Sequence, residues 1–488
     1  MPSLRGNPVL PSQETLEQVR SKILDHIPDQ GLGHDQTKQH VEQDLVPGFN
    51  GAAQSPHYYG FVTGGSLPIS RLADNLVTEY DNSCQVHLPN ETAVTNIEDA
   101  ATRMLCELLD LEPDQWPHRT FTTGATGSNI MGLACGREYV VAETARRNGT
   151  EASISEDGIV EAMRLASIDR IQILTTVPHS SLRKASSIVG LGRASVIDVG
   201  QKGAKHRFDM STLQAALETP RTASIIAVSC AEVNTGLFAT TGPEMIALRD
   251  LADKHGAWIH VDAAFGLLAR VLPAAKQYAM IRAGVARMEL ADSITGDAHK
   301  LLNVPYDCGF FFSKHLPLGI EVFQNPNAAY LNTANSESTS SSDRVIPSPL
   351  NIRLENSCRF RAFPVYAALA AYGRDGYTDM LERQIKLSRA IATFIAESEA
   401  YELLPERGSD VSLATALERT FMIVIFRTRD EELNKALVQR INSTRRIYVS
   451  GTQWEGKPAA RFAVANWQVD PEVDIELIKE VLQEVARL

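Results

Sequence analysis

The segment Ser293-Ile-Thr-Gly-Asp-Ala-His-Lys300 brings an acid, an imidazole and an amine into one turn behind a short β-branched run. An amine so placed can form a Schiff base with an aldehyde cofactor that serves as an electron sink. Lysines in polar turns are also commonly just solvated. The chemistry therefore rests on whether other segments supply the rest of such a site.

Three of them do. Ala257-Trp-Ile-His-Val-Asp-Ala-Ala-Phe-Gly266 reads as a buried strand with Asp262 at or near its C-terminal end. A carboxylate there needs a cationic or donor partner. The protonated nitrogen of a pyridine ring is one such partner, and keeping it protonated makes the ring a better electron acceptor. Capping of the following turn is the other role open to Asp262, while Ala263, Ala264 and Gly266 suit close packing against something flat. The second segment, Phe121-Thr-Thr-Gly-Ala-Thr-Gly-Ser-Asn129, precedes a helical pattern carrying Ile130, Met131, Leu133 and Ala134. Small residues let backbone N–H groups approach a phosphate at a helix N-terminus; plain N-capping by Ser128 or Asn129 is the simpler expectation. In the third, the strand beginning at Ile171 ends at Pro178, with His179 at the junction and Ser180 placed to cap the next helix. A flat imidazole at a strand end can stack on a pyridine ring. Lysine, ring-nitrogen acid, phosphate loop and stacking imidazole together are the parts of a pyridoxal-phosphate site.

The chain resembles group II pyridoxal-phosphate-dependent amino acid decarboxylases, of the fold-type I superfamily. The matching features are Gly124-Ala-Thr-Gly-Ser-Asn129, Pro178-His-Ser-Ser181, His260-Val-Asp-Ala-Ala264, Asp297-Ala-His-Lys300 and Asn303-Val-Pro-Tyr-Asp307. His57-Tyr-Tyr-Gly-Phe-Val-Thr-Gly-Gly65 and Glu355-Asn-Ser-Cys-Arg-Phe-Arg361 match segments that border the substrate in that family. The set follows the family's order over about residues 15 to 485.

The resemblance implies an α/β protein: a large domain with a mostly parallel seven-stranded sheet, an N-terminal segment and a small C-terminal α/β domain. It implies that Lys300 holds the cofactor, that Asp262 pairs with the pyridine nitrogen and that His179 stacks on the ring. Ala125, Thr126 and His299 would contact the phosphate. Asn234 and Thr235 would lie near the ring oxygen and phosphate, with Ala264 and Asp297 also against the cofactor. Thr63 falls where family members contact the substrate carboxylate. A homodimer with active sites at its interface is implied as well.

This chain also departs from the family pattern. Leu301 stands where many relatives carry Trp directly after the lysine, and Thr126-Gly-Ser-Asn129 where the phosphate loop often reads Thr-Glu-Ala-Asn. Asp297 occupies a position that is Asn in animal members, and the loop after Tyr330 contains no Tyr. In the family a loop tyrosine is thought to protonate Cα after carbon dioxide leaves. Tyr330 at the loop's base and His179 are the candidate acids here.

Bulk properties bound the reading. A chain of 488 residues that is 44% hydrophobic can bury a large core, expected in two domains plus an N-terminal segment. A net charge of −12 with a pI near 5.5 argues against nucleic acid as partner. No apolar run approaches the ~20 residues of a membrane helix, and Met1-Pro-Ser-Leu-Arg-Gly6 lacks the apolar core of a secretory signal. A cytoplasmic protein is expected; the terminal Ala486-Arg487-Leu488 loosely fits a peroxisomal address, with a plain helix end as the simpler reading. Cys84, Cys106, Cys135, Cys230, Cys308 and Cys358 lack metal-ligand spacing and read as reduced thiols, mostly core fillers, and no metal is expected.

Along the chain, Glu14 to Ile27 reads as an amphipathic helix, within an N-terminal segment 1–66 that would wrap a partner subunit. Residues 67–365 form the expected cofactor domain, with strands at Ile171–Thr175, Ala223–Ser229 and Ala257–Asp262. In such sheets ligands bind at the C-terminal strand ends. Residues 331–350 are rich in Ser, Thr and Asn and predict a mobile loop within that domain. Residues 366–488, with a strand at Thr420–Phe426, form the smaller domain.

Three functions are compatible with these residues: L-amino acid decarboxylation; another pyridoxal-phosphate reaction such as oxidative deamination, transamination or C–C cleavage; and binding without catalysis, which the joint presence of Lys300, Asp262 and His179 disfavours. Tyr58, Tyr59, Phe61 and His87 could line an aromatic-accepting pocket or simply pack, and Arg359 or Arg361 could bind an acidic substrate or neutralise a phosphate.

Overall fold

The computed structural model describes residues 8–325, 345–405 and 411–487. The chain divides into two compact units, Ser66–Glu382 with Glu418–Phe421, and Met1–Gly65 with Arg383–Leu417 and Met422–Leu488. The division falls inside the helical stretch Ala362–Glu397, which is broken at Gly373 (φ 55°, ψ −168°).

In the larger unit seven strands form one sheet, in the order His118–Thr122, Gly309–Ser313, Ser293–Asp297, Trp258–Asp262, Thr222–Ser229, Arg170–Thr175, Val196–Asp198. Gly309–Ser313 runs antiparallel to both neighbours; the other pairings are parallel. A parallel strand covered on both faces must be apolar throughout, and in Thr222–Ser229 Ile225, Ile226 and Val228 are fully buried. Five neighbouring parallel strands thus end on one edge of the sheet, at Asp198, Thr175, Ser229, Asp262 and Asp297.

The helix Ala125–Arg147 lies against this sheet. A Cβ at Gly132 would sit 2.3 Å from the His260 ring, and one at Gly136 2.9 Å from Trp258. These two positions, one helical turn apart, must lack side chains for the helix to approach the strand Trp258–Asp262 so closely. The helix starts at Ala125 after Gly124, so Ser128 and Asn129 lie inside it and are not its N-cap. At the next helix, Ser180–Ile188, His179 is the N-cap: its Nδ1 accepts the Ser181 N–H at 3.2 Å, and Ser180 is already helical.

The smaller unit carries a five-stranded sheet ordered Tyr58–Tyr59, Tyr448–Trp454, Lys457–Ala463, Ile423–Thr428, Tyr401–Leu404. The strand expected at 420–426 therefore begins three residues later, and part of the expected N-terminal segment is an edge strand of this sheet. Tyr58 stacks on Tyr448 at 4.4 Å between ring centroids, and Tyr59 is buried against Phe462 at 5.4 Å. Both rings serve packing within this unit.

The first helix is Gln13–Lys22, capped by Ser12 accepting the Thr15 N–H at 3.0 Å, and it stops at Ile23 instead of continuing to Ile27. No residue of it is buried, and Ile23, Leu24 and Ile27 are 52%, 56% and 92% exposed. Of the expected mobile loop 331–350, residues 331–344 and Tyr330 lie outside the described residues. Its return end is fixed: Ser348, Pro349 and Leu350 are buried, and the Leu350 N–H donates to Gln85 O at 2.9 Å. Arg487 closes the helix Pro471–Ala486, and Leu488 lies outside the described residues. No described helix is long and apolar enough to cross a membrane.

Candidate active site

The strand Ser293–Asp297 runs directly into the short helix Ala298–Leu301, so Asp297, His299 and Lys300 are displayed at the sheet edge. Lys300 Nζ lies 2.8 Å from Asp297 Oδ2, and Asp297 Oδ1 accepts the Ala125 N–H at 2.6 Å. One buried carboxylate thereby joins the lysine to the start of the helix Ala125–Arg147. His299 Nδ1 lies 2.9 Å from Cys308 O and 3.3 Å from Cys308 N, with Nε2 3.7 Å from Asp297 Oδ1. Burial, reinforced by the Lys300 charge, holds the His299 imidazole below its ordinary pKa, so it is neutral near neutrality.

Asp262 closes the strand Trp258–Asp262 and is held by two donors. Ala264 N–H reaches Oδ1 at 3.2 Å, the turn-capping contact, and Asn129 Nδ2 reaches Oδ2 at 2.9 Å. A carboxylate only accepts, so Asn129 must present its NH₂ there and turn Oδ1 toward His260 Nε2, 2.8 Å away. His260 must then carry its proton on Nε2. Its Nδ1 accepts from Ser293 Oγ at 2.8 Å, and Ser293 Oγ accepts from Trp258 Nε1 at 3.0 Å. Burial lowers the His260 pKa to about 4, which keeps this relay neutral. The other Asn129 Nδ2 proton goes to Ser181 Oγ at 3.1 Å, whose own hydroxyl faces His179 Nδ1 at 2.7 Å. Ser181 therefore leaves the proton of a neutral His179 on Nε2.

Lys300, Asp297, His299, Asp262, His179 and Ser181 border a cavity of about 390 Å³, within the range of small-molecule sites. Of the residues expected from sequence, Ala125, Thr126, His179, Asp262, Ala264, Asp297, His299 and Lys300 line it. Asn234 and Thr235 are not among its lining residues. Both N–H groups and the Thr235 hydroxyl turn to the carboxylate of Glu232, at 2.8, 2.9 and 2.9 Å, and it is Ala231, Glu232 and Val233 that face the cavity. His87 is likewise elsewhere, bonded through Nδ1 to Thr95 Oγ1 at 2.7 Å. Arg359 is bound to Asp74 at 2.8 Å and Arg361 to Asp307 at 3.1 Å. Thr63, buried, and Phe61, 62% exposed, belong to the smaller unit.

Two aromatic residues at the cavity had no role assigned from sequence. Tyr306 brings a phenol into it, its ring 4.5 Å from that of His299, and Phe265 places its ring 5.9 Å from Lys300 Nζ. Tyr306 sits in the matched segment Asn303–Asp307, so its type was visible and only its direction was not.

The set fits pyridoxal phosphate. At the start of the helix Ala125–Arg147 Gly124 supplies no side-chain cap, the Ala125 N–H is taken by Asp297 and the Gly124 N–H by Thr122 Oγ1, so it is the backbone N–H groups of Thr126 and Gly127, both at the cavity wall, that are open to an anion. An amine and a strand-end carboxylate with one ordered donor on each oxygen face the same space. No cluster of three or more His, Cys, Asp or Glu suited to a metal ion occurs among the described residues.

Comparison with known proteins agrees with this geometry. The model of the pyridoxal-dependent decarboxylase conserved domain matches residues 17–413. L-2,4-diaminobutyrate decarboxylase of Acinetobacter baumannii is 26% identical over 400 residues, covering 80% of this chain and 73% of its own. Phenylacetaldehyde synthase of Arabidopsis thaliana is 23% identical, covering 98% and 91% respectively. Among solved structures, Oryza sativa TDC with PLP and tryptamine superposes with a TM-score of 0.78 at 19% identity, over 99% of this chain and 94% of that one. With a matching family model over most of its length, laid on the sheet and cavity described above, the chain belongs to the pyridoxal-dependent decarboxylase family.

Proposed function

We propose that this protein decarboxylates an L-amino acid with pyridoxal phosphate, and that Lys300, Asp262 and His179 carry the chemistry. One observation carries the reading: the Lys300 amine, the Asp262 carboxylate and the first turn of the helix Ala125–Arg147 open into a single cavity. Lys300 would hold the cofactor covalently, Asp262 its ring nitrogen, His179 its ring face, and Ala125, Thr126 and His299 its phosphate. When bound, the cofactor supplies the carbonyl that takes the substrate amine and the ring that accepts the electron pair left as carbon dioxide departs.

The protein's own residues prepare that event. Asp297 holds the Lys300 amine at 2.8 Å and sets its direction. Asn129 orients Asp262, and Ser181 fixes which nitrogen of His179 carries its proton. Tyr306 offers a phenol within the cavity for returning a proton to the substrate carbon.

A second reading, oxygen-dependent conversion to an aldehyde, is favoured by one sequence feature: residues 331–350 contain no Tyr. The likeness to a phenylacetaldehyde synthase is in keeping with it. The exposed Ile23, Leu24, Ile27 and Phe49 support the further reading that the N-terminal segment is covered in a homodimer. Incubating the purified holoenzyme with each amino acid, and measuring carbon dioxide, amine, ammonia and aldehyde together, tests both. Carbon dioxide with amine supports decarboxylation; ammonia and aldehyde with oxygen uptake support the second reading; absence of carbon dioxide from every amino acid overturns both.

A further inference from the structure

Cys84 and Cys358, 274 positions apart in sequence, bring their Sγ atoms to 3.4 Å. All six cysteines are free thiols and five are buried, in keeping with the expectation of reduced thiols that mostly fill the core; the approach of these two is what the sequence did not show. Arg353 is wrapped around the pair. Its Nη1 donates to Cys358 Sγ at 3.0 Å and lies 3.9 Å from Cys84 Sγ, while Nη2 donates to the Cys84 carbonyl. Glu98 Oε2 stands 3.8 Å behind the same guanidinium. Cys84 is buried and Cys358 partly exposed, so an attacking reagent meets Cys358 first.

The two thiols differ in proton affinity. The hydrogen bond from Cys84 and the Arg353 charge lower the Cys358 pKa, whereas the hydrogen bond to Cys358 and burial raise that of Cys84. Cys106, Cys135, Cys230 and Cys308 are buried with thiols pushed up by burial. Thiolate character and access together select a reactive cysteine, and Cys358 alone among the six combines them.

We propose that Cys358 and Cys84 form a peroxide-reactive modification site, with Cys358 as the attacking thiolate and Cys84 as the resolving thiol. The Cys358 thiolate attacks a hydroperoxide oxygen; an S–O bond forms, the O–O bond breaks, and the peroxide leaves reduced as water or alcohol. Cys84 then attacks the sulfenic sulfur; the S–S bond forms, the S–O bond breaks, and a second water leaves with the Cys84 proton. Two thiols lose two electrons and two protons, and the peroxide takes up both. A dithiol reductant reverses the step by exchange. The bond would tie the segment after the helix Pro68–Tyr80 to the segment that precedes Ala362. Three residues beyond Cys358, Arg361 holds Asp307, the neighbour of cavity residue Tyr306.

The test treats the reduced holoenzyme with hydrogen peroxide, alkylates it in denaturant and maps its peptides without reduction. The expected result is loss of two of the six alkylatable thiols and a peptide pair joined through Cys84 and Cys358, restored by dithiothreitol. In Cys84→Ser the expected product is a dimedone-trapped sulfenic acid on Cys358; in Cys358→Ser, Cys84 stays alkylatable. Six free thiols after treatment, sulfinic acid on Cys358 beside a reduced Cys84 in the wild type, or a disulfide with any other partner would each overturn the proposal. The wild-type map decides the matter even where a serine variant fails to fold.

Discussion

The Asn129 side-chain amide donates to Asp262 across 2.9 Å while its oxygen accepts from His260 at 2.8 Å. The strand-end acid therefore has its hydrogen-bond pattern set from inside the fold, by a relay that starts at Trp258 and reaches it through Ser293, His260 and Asn129. An acceptor oxygen committed to an ordered donor cannot rotate freely, and the other lone pairs of the carboxylate remain directed toward the cavity.

Asn129→Leu, close in volume, should lower kcat by about tenfold to a hundredfold, the worth of one hydrogen bond to a charged group. The pH profile of the bound cofactor's absorbance should shift with it, while KM changes little. A lower kcat with an unmoved absorbance profile would mark Asn129 as a packing residue only.

Asp262→Asn keeps the shape and removes the charge. The loss should reach at least ~10²-fold in turnover, comparable to removal of other preorganised electrostatic partners. A loss of only a few-fold would show that another group serves the cofactor ring.

Lys300→Ala should abolish steady turnover, because the amine that exchanges with substrate is gone. Borohydride reduction of the wild-type holoenzyme should place the label on the peptide containing Lys300. Turnover near wild type in the variant would remove Lys300 from the mechanism.

Tyr306→Phe should reduce the amine fraction of product and raise aldehyde and ammonia, measured by product analysis under air. Tyr330→Phe, at a residue outside those described, is the comparison. Were Tyr330 the donor, only its variant would shift the ratio; an unchanged ratio in both would leave His179 or water as the acid.

His118 and His260 are buried, and burial lowers each pKa from 6.5 to about 4. The unfolded chain then binds more protons than the folded one between those values. Stability therefore falls as pH drops from 6.5 toward 4, by about 3 kcal/mol for each fully buried imidazole. Urea midpoints measured across that window should decline, and His118→Gln, which retains a donor for Ile352 O, should decline less. Equal slopes in the two proteins would show that His118 is protonated without opening the fold.

The chemical parts of the cavity were legible in the linear chain because each is a local event. Lys300 follows a strand by three residues, Asp262 ends one, and both His179 and the segment 124–129 lie where a strand gives way to a helix. Strand positions followed from continuous apolar runs in a sheet covered on both faces. Helix ends were less readable: the start at Ala125 was hidden by Ser128 and Asn129, both plausible caps.

What the chain alone determined was the set of reactive groups and the sheet that presents them. Only tertiary structure decided their partners, because those contacts join residues far apart in sequence. Asn129 lies 133 positions from Asp262 and reaches it because Gly132 and Gly136 admit the helix to the strand. Arg359 could have served a substrate, yet Asp74, 285 positions away, holds it. Cys84 meets Cys358 for the same reason: packing brings together side chains whose sequence spacing carries no signal of contact.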